Sequence, residues 1–207
     1  MSDILERLHG FRQSDGWIFG YMLFSSLVSL TASLVLSIDA VELARDANAA
    51  LSCNINQVIS CGKVGVTWQA NLLGFPNAFL GLIAEPVVIT IAVASLGKVR
   101  FPRGFMFAAH VVYTIGLGFA YWLFYQSMFH INALCPWCLL VTLSTTLVFT
   151  SLTHVNIRDN NLFLPERVNR ALQSGLRMGI DALVITLWLV FLVVAVMLKY
   201  GPALWGA

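Results

Sequence analysis

Charge is what this sequence has least of. Asp, Glu, Lys and Arg make up 11% of its 207 residues against 58% hydrophobic, and mean hydropathy is +0.81. That balance excludes a soluble domain with a large core and describes an integral membrane protein. No basic tract is present that would track a nucleic-acid backbone, and a formal net charge of +2 selects no partner. Repeats and low-complexity tracts are missing too. Histidine is absent where haem or zinc would need it. Leu139, not a histidine, follows Cys138, which excludes a c-type haem site, and no histidine completes either cysteine pair at zinc-ligand spacing, so no metal site is expected. The first apolar run is too long for a signal-peptide core and lacks a clear small-residue cleavage site, so it reads as a retained helix.

What is present are five apolar runs, at residues 17–38, 77–97, 104–127, 135–153 and 180–198. Each is near the 20 or so residues that a helix needs to cross a bilayer. The predicted fold is an all-α integral membrane protein: a four-helix bundle over 17–153 with an outer loop at 39–74, then a link at 154–179 and a fifth spanning helix in 180–207. Residues 3–12 read as a surface helix within an N-terminal segment 1–16, with Asp3 and Glu6 spaced as a capping box and Ile4, Leu5, Leu8 and Phe11 facing lipid. Pro165 to Arg177 reads as a second one. Nine of the twelve Lys and Arg fall at the N-terminus, between the second and third runs, and in 154–179. Positive-inside therefore puts the N-terminus in the cytoplasm, and the C-terminus with all four cysteines outside, where disulfides persist.

Chemistry is concentrated in Cys135-Pro136-Trp137-Cys138, at the head of the fourth run. As the start of a helix, this places Cys135 near the N-cap, Pro136 where its missing N–H costs nothing, and Cys138 one turn inside. Residues three apart on a helix have Cα atoms roughly 5 Å apart, within disulfide range. Unpaired N–H groups at that end favour a thiolate, so a redox role is expected. The other two cysteines, Cys53 and Cys61, would lie about 12 Å apart in a continuous helix, so pairing requires the segment to fold back. Asn54 and Asn56 are suited to start a short helical turn after Cys53, and Gly62 to end it after Cys61. A structural staple and a working pair are both open on these residues alone. Val64, Val66, Trp68, Leu72 and Leu73 give the loop an apolar side, able to rest on the membrane or to lid a pocket.

Around these pairs, Asn77 stands at the same level as a donor for a polar ligand group. Tyr121 and Trp122, in a cluster with Phe124 and Tyr125, offer flat walls to a ring-shaped cofactor dissolved in lipid. Ser25, Ser26, Ser29, Thr31 and Ser33 suit close helix contacts. Glu85, beside Pro86, reads as a carboxyl hydrogen-bonded to a neighbouring helix, His110 as packing, and His130 as an exposed residue or a proton carrier.

With both pairs in place, residues 15–153 resemble the vitamin K epoxide reductase family, and its bacterial members in particular. The matching features are Cys53-x7-Cys61 preceded by Ala44-Arg45-Asp46, then Trp68, the run Asn77-Ala78-Phe79-Leu80-Gly81, and the Cys135-x-x-Cys138 motif. The resemblance implies a bundle around a quinone, menaquinone or ubiquinone. It implies that Cys53 meets a reduced thioredoxin-fold partner, that Cys61 exchanges with Cys135, that Cys138 delivers electrons to the quinone, and that Asn77 holds a quinone oxygen. Vertebrate members have a tyrosine four residues after the second motif cysteine, and here Thr142 stands at that place on the quinone site. That favours plain quinone reduction over vitamin K epoxide. The fifth span and the lack of an ER retention signal point to a bacterial inner-membrane protein, and the chain ends before a fused thioredoxin-like domain would fit, so the implied partner is a separate extracytoplasmic polypeptide. The analogous disulfide-oxidising protein of bacterial inner membranes carries its two cysteine pairs in the opposite order. A non-enzymatic scaffold or metal-handling protein is the alternative, marked by tight zinc or copper binding without quinone reduction.

Overall fold

The computed structural model describes residue 10 and residues 12–204, with side chains to 201. The surface helix expected over 3–12, with its capping box and apolar face, lies outside the described residues. Among the described residues, five helices are long and apolar enough to cross a membrane. The first, α1 (Asp15–Arg45), starts at Ser14, whose hydroxyl accepts the Trp17 N–H at 3.2 Å. Its 31 residues extend about 46 Å, well beyond a hydrocarbon core of about 30 Å. The apolar run ends at Ile38, yet neither glycine nor proline interrupts the next turns, so the helix continues to Arg45 and carries Asp39 with it. Next come a short helix α2 (Cys61–Gly65) and a 3-10 turn (Trp68–Asn71), followed by the spans α3 (Ala78–Leu96), α4 (Arg103–Gln126) and α5 (Pro136–Arg158). A π-helical turn (Ser127–Ile131) follows α4, and Asn132 in the left-handed region ends it. The surface helix α6 (Glu166–Met178) and the fifth span α7 (Ile180–Leu204) are the last of the described elements.

The spans pack in the order α3, α1, α5, α4, with α7 leaning on α5 from outside. Small residues bring α1 close to its neighbours. Ser25, Ser26, Ser29 and Ser33 are buried, and a Cβ at Gly81 of α3 would collide with Ser33 Oγ. Thr31 faces outward and hydrogen-bonds its own helix at Leu27 O (2.8 Å). The apolar core sits at one end of the bundle, where Phe19 and Met22, Val88 and Ile91, Met106, and Val148 and Leu152 meet. That end also holds the ion-paired arginines Arg12, Arg100 and Arg158. Arg158 pairs with Asp15 (2.8 Å) and Asp159 (2.8 Å), Arg100 with Asp15 (2.9 Å), and Arg12 with Asp181 (3.0 Å), which also meets His154 (3.0 Å). Gln173 of α6 donates to the carbonyls of Ile157 and Arg158, closing the end of α5. The opposite end holds the sulfurs and a cavity.

Candidate functional site

The loop after α1 is shaped by side-chain amides. Asn56 Oδ1 accepts from the N–H groups of Val58 (2.9 Å) and Ile59 (2.7 Å), while Asn54 Oδ1 accepts from Gly62 N–H (2.9 Å) and the Ser60 hydroxyl (3.0 Å). The segment therefore folds back, and Cys53 and Cys61 form a disulfide with Cα atoms 5.6 Å apart. The helical turn expected between the two cysteines falls after the second one instead. With both asparagines committed to the loop, Ser60 caps α2 by accepting from Lys63 N–H (3.1 Å), and Cys61 is its first residue.

A non-local tie then fixes the loop to the motif. Leu134 N–H donates to Val58 O (2.7 Å), and Ser60 N–H donates to Leu134 O (3.0 Å), a one-residue parallel bridge between Ile59 and Leu134. Each side continues directly into a cysteine, so Cys61 Sγ stands 3.3 Å from Cys135 Sγ. Ser127 and Lys63 brace the same segment through the carbonyls of Ala133 and Asn132. Cys135 is the N-cap of α5, with Pro136 in the first turn, and its sulfur accepts from Cys138 N–H at 3.3 Å. The Cys138 thiol and the N–H groups of Cys138 and Trp137 hold the Cys135 thiol below its usual range, against burial and the nearby Asp39 charge. Cys135 and Cys138 are both free thiols.

Cys61, Cys135 and Cys138 look into a cavity of about 480 Å³. Its walls are mainly apolar, with Leu36, Phe119 and Leu139 among them. Three residues that line it, Ile83 of α3 and Val112 and Ile115 of α4, are also 64–68% exposed. The cavity thus opens sideways between α3 and α4, where lipid would lie. Val64 and the residues 69–71 cover it at the sulfur end, while Val66, Trp68, Leu72 and Leu73 turn outward. At its far end Glu85, 3% exposed, accepts from the Ser29 hydroxyl (2.8 Å) and the Tyr113 hydroxyl (2.9 Å) through Oε1, and Oε2 has no partner. Eight residues separate Glu85 from Asn77, so it lies about 12 Å deeper along α3.

Asn77 and Thr142 both line the cavity. Asn77 donates to Gln69 O (2.6 Å), and its Oδ1 is buried without a partner. Thr142, one turn below Cys138, donates to Cys138 O (3.0 Å). Tyr121 and Trp122 are not part of the lining. The cavity stripe on α4 runs through 112, 116, 119 and 123, and residues 121 and 122 fall off it. Tyr121 OH instead meets Thr146 Oγ1 (2.8 Å) and accepts from the Trp188 indole of α7 (2.7 Å), while Trp122 packs on Trp68 and Phe119. His110 stacks on Phe149, and His130 is exposed beside Tyr125.

Asp39 was not singled out in the sequence. It is buried and lines the cavity, with Oδ2 3.6 Å from Cys53 Sγ. The signal was its place on the helical stripe Leu36, Asp39, Leu43, masked by the end of the apolar run at Ile38. Asp39 Oδ and the sulfurs of Cys53 and Cys61 lie within 4.8 Å of one another, and the disulfide occupies both sulfurs.

A sequence model of the vitamin K epoxide reductase family matches residues 21–153, the stretch from α1 through most of α5. No curated protein matches the chain. That match covers well over half of the chain and contains both cysteine pairs and the cavity walls. This multi-pass membrane oxidoreductase therefore belongs to the vitamin K epoxide reductase family.

Proposed function

We propose that the protein oxidises a separate thioredoxin-fold protein outside the membrane and passes the two electrons through Cys53/Cys61, then Cys135/Cys138, to a membrane quinone, supporting disulfide formation in exported proteins. The observation that carries this reading is the 3.3 Å approach of Cys61 Sγ to Cys135 Sγ at the covered end of a cavity that opens sideways towards lipid.

The cavity suits a quinone in size, wall and polarity. About 480 Å³ falls in the usual range for small-ligand sites, the walls are apolar, and the orphaned Asn77 amide oxygen is an acceptor that a hydroxyl of the reduced quinol would satisfy. A bound quinone would supply the terminal acceptor, taking up two electrons and two protons. Asn77 would orient a ring oxygen through its remaining N–H, with Thr142 below and Cys138 within the same wall. Menaquinone and ubiquinone both meet these requirements.

The residues then act in sequence. A partner thiolate attacks Cys53, the Cys53–Cys61 bond opens, and the partner leaves as a disulfide. Cys53 is only 6% exposed, so the loop must lift for that encounter. Cys61 next attacks Cys135 of an oxidised motif, releasing Cys138, and Cys53 resolves the mixed disulfide. The arrangement of one disulfide at Cys53–Cys61 and two thiols at Cys135 and Cys138 corresponds to the point at which both electrons have reached the motif. The arginines at the far end of the bundle support a cytoplasmic placement of that end in a bacterial cytoplasmic membrane, with the cysteines outside. Residues 17–153 would be the catalytic bundle, 154–179 a cytoplasmic link and α7 an outer support.

The test is quinone reduction in liposomes with a reduced thioredoxin-fold protein or a small dithiol as donor. Cys138→Ala is expected to be inactive with both donors, and Cys53→Ala to lose the protein donor while keeping activity with the small dithiol. Wild-type protein that reduces neither quinone with either donor would end this reading.

A further inference from the structure

We propose that Asp39 is the proton carrier for thiol–disulfide exchange between the two cysteine pairs, a role that rests on the relay proposed above. Asp39 lies in the last turns of α1, beside the loop pair and on the wall of the cavity. Its Oδ2 stands 3.6 Å from Cys53 Sγ, and its carboxylate and both loop sulfurs lie within 4.8 Å of one another. It shares the cavity wall with Cys61, Cys135 and Cys138.

A purely structural buried carboxylate would be expected to have a cation or a set of donors. Asp39 has neither: it makes no ion pair among the described residues, and no lysine, arginine or histidine lines the cavity. Its one side-chain partner is a sulfur that has no proton to give while the disulfide is closed. When the loop pair is reduced, that contact becomes a thiol–carboxylate hydrogen bond, the geometry a general base requires. The other titratable groups around it are Glu42, one turn on along α1 and exposed, then the four cysteines, with Glu85 and Tyr113 at the far end of the cavity. Among the carboxylates of the described residues, Asp39 alone reaches a loop sulfur.

The exchange balances within the protein. Cys61 passes its proton to Asp39 and attacks Cys135; the Cys61–Cys135 bond forms, the Cys135–Cys138 bond breaks, and Cys138 leaves with the electron pair and receives the proton. Cys53 then passes its proton to Asp39 and attacks Cys61; the Cys53–Cys61 bond forms, and Cys135 leaves and is protonated in turn. Two electrons and two protons move from the loop pair to the motif pair, which is oxidised at the start and reduced at the end.

The experiment uses the fully reduced, full-length protein in detergent, mixed with excess water-soluble quinone. Four thiols supply two equivalents of quinol: the first comes directly from Cys135/Cys138, and the second only after exchange from Cys53/Cys61. In Asp39→Asn the second phase is expected to fall relative to the first by about 100-fold near neutral pH, the scale of a lost general base, and to recover about tenfold per pH unit as the thiols ionise unaided. Asp39→Glu is expected to return most of the rate. A phase ratio within about threefold of wild type, or an equal loss in both variants at every pH, would overturn the inference. Should Asp39→Asn not fold, wild type decides: a second phase nearly flat between about pH 6.5 and 8.5 supports the carrier, and a rise of about tenfold per unit refutes it. If wild type makes no quinol in either phase, the relay itself fails; two phases with an unchanged ratio in Asp39→Asn remove only the role of Asp39.

Discussion

At the arginine end of the bundle, α1, α5, α7 and the turn before α4 are held by charge and by a filled core. Asp15, Arg100, Arg158 and Asp159 form one network, Arg12, Asp181 and His154 another, and Met22, Ile91 and Leu152 pack beneath them without solvent contact. At the sulfur end the same helices separate around a cavity, and the loop is tied to α5 by two backbone hydrogen bonds beside the sulfurs. One end keeps the helices in place. The other leaves room for a ligand and keeps its connections of the kind that can open, because a disulfide relay works only if sulfurs change partners. Local stability follows the density of such contacts, so loop opening at the sulfur end need not disturb the core.

The sharpest way to break this division is Leu134→Pro. It removes the N–H given to Val58 O and leaves all four cysteines unsubstituted. Exchange between the pairs is expected to slow by about 100-fold, the cost of misplacing reacting atoms by roughly an ångström, read as loss of the second quinol phase. An unchanged second phase would show that the loop finds Cys135 without this tie.

A smaller effect is expected from Asn77→Ala, which removes the unsatisfied amide from the cavity wall. The KM for quinone should rise about tenfold, the value of one buried hydrogen bond to a neutral group, with little change in the rate of internal exchange. A change in exchange rate with KM untouched would move Asn77 from ligand binding to loop support, through its bond to Gln69 O.

The smallest effect should come from the other end. Arg158→Ala breaks partly exposed ion pairs to Asp15 and Asp159, and about 1 kcal/mol of stability is expected to be lost, seen as a modest drop in the thermal midpoint in detergent. The ratio of the two quinol phases should not move. A shift in that ratio would mean that the arginine end is coupled to the chemistry.

The sequence showed what the bilayer and helix capping dictate. Apolar runs of spanning length are forced by the hydrocarbon thickness, so all five spans were legible, and Cys135 and Pro136 announce a helix start through local chemistry. The fold-back of the loop followed from the reach of a disulfide only on condition that Cys53 and Cys61 pair, and its shape did not follow, since which asparagine satisfies which N–H depends on contacts formed only after folding. The pairing of Ile59 with Leu134 left no trace at all, because a bridge made by backbone groups places no demand on side-chain type. Tyr121 and Trp122 were drawn to the cavity by residue type and level alone. Helical phase decides such cases, and it turns Tyr121 to α7. Asp39 escaped notice because hydropathy ends a span where apolar residues stop, whereas a helix ends where its backbone does.

The central claim is that the loop pair and the motif pair are one relay joined at Cys61 and Cys135. The measurement that tests it most directly is disulfide mapping by mass spectrometry in the Cys53→Ala, Cys138→Ala double variant after mild oxidation in membranes. An intramolecular Cys61–Cys135 disulfide is predicted in nearly all molecules, since the sulfurs need to close little more than an ångström from their 3.3 Å separation. Two free, alkylatable thiols, or disulfides only between chains, would contradict the account.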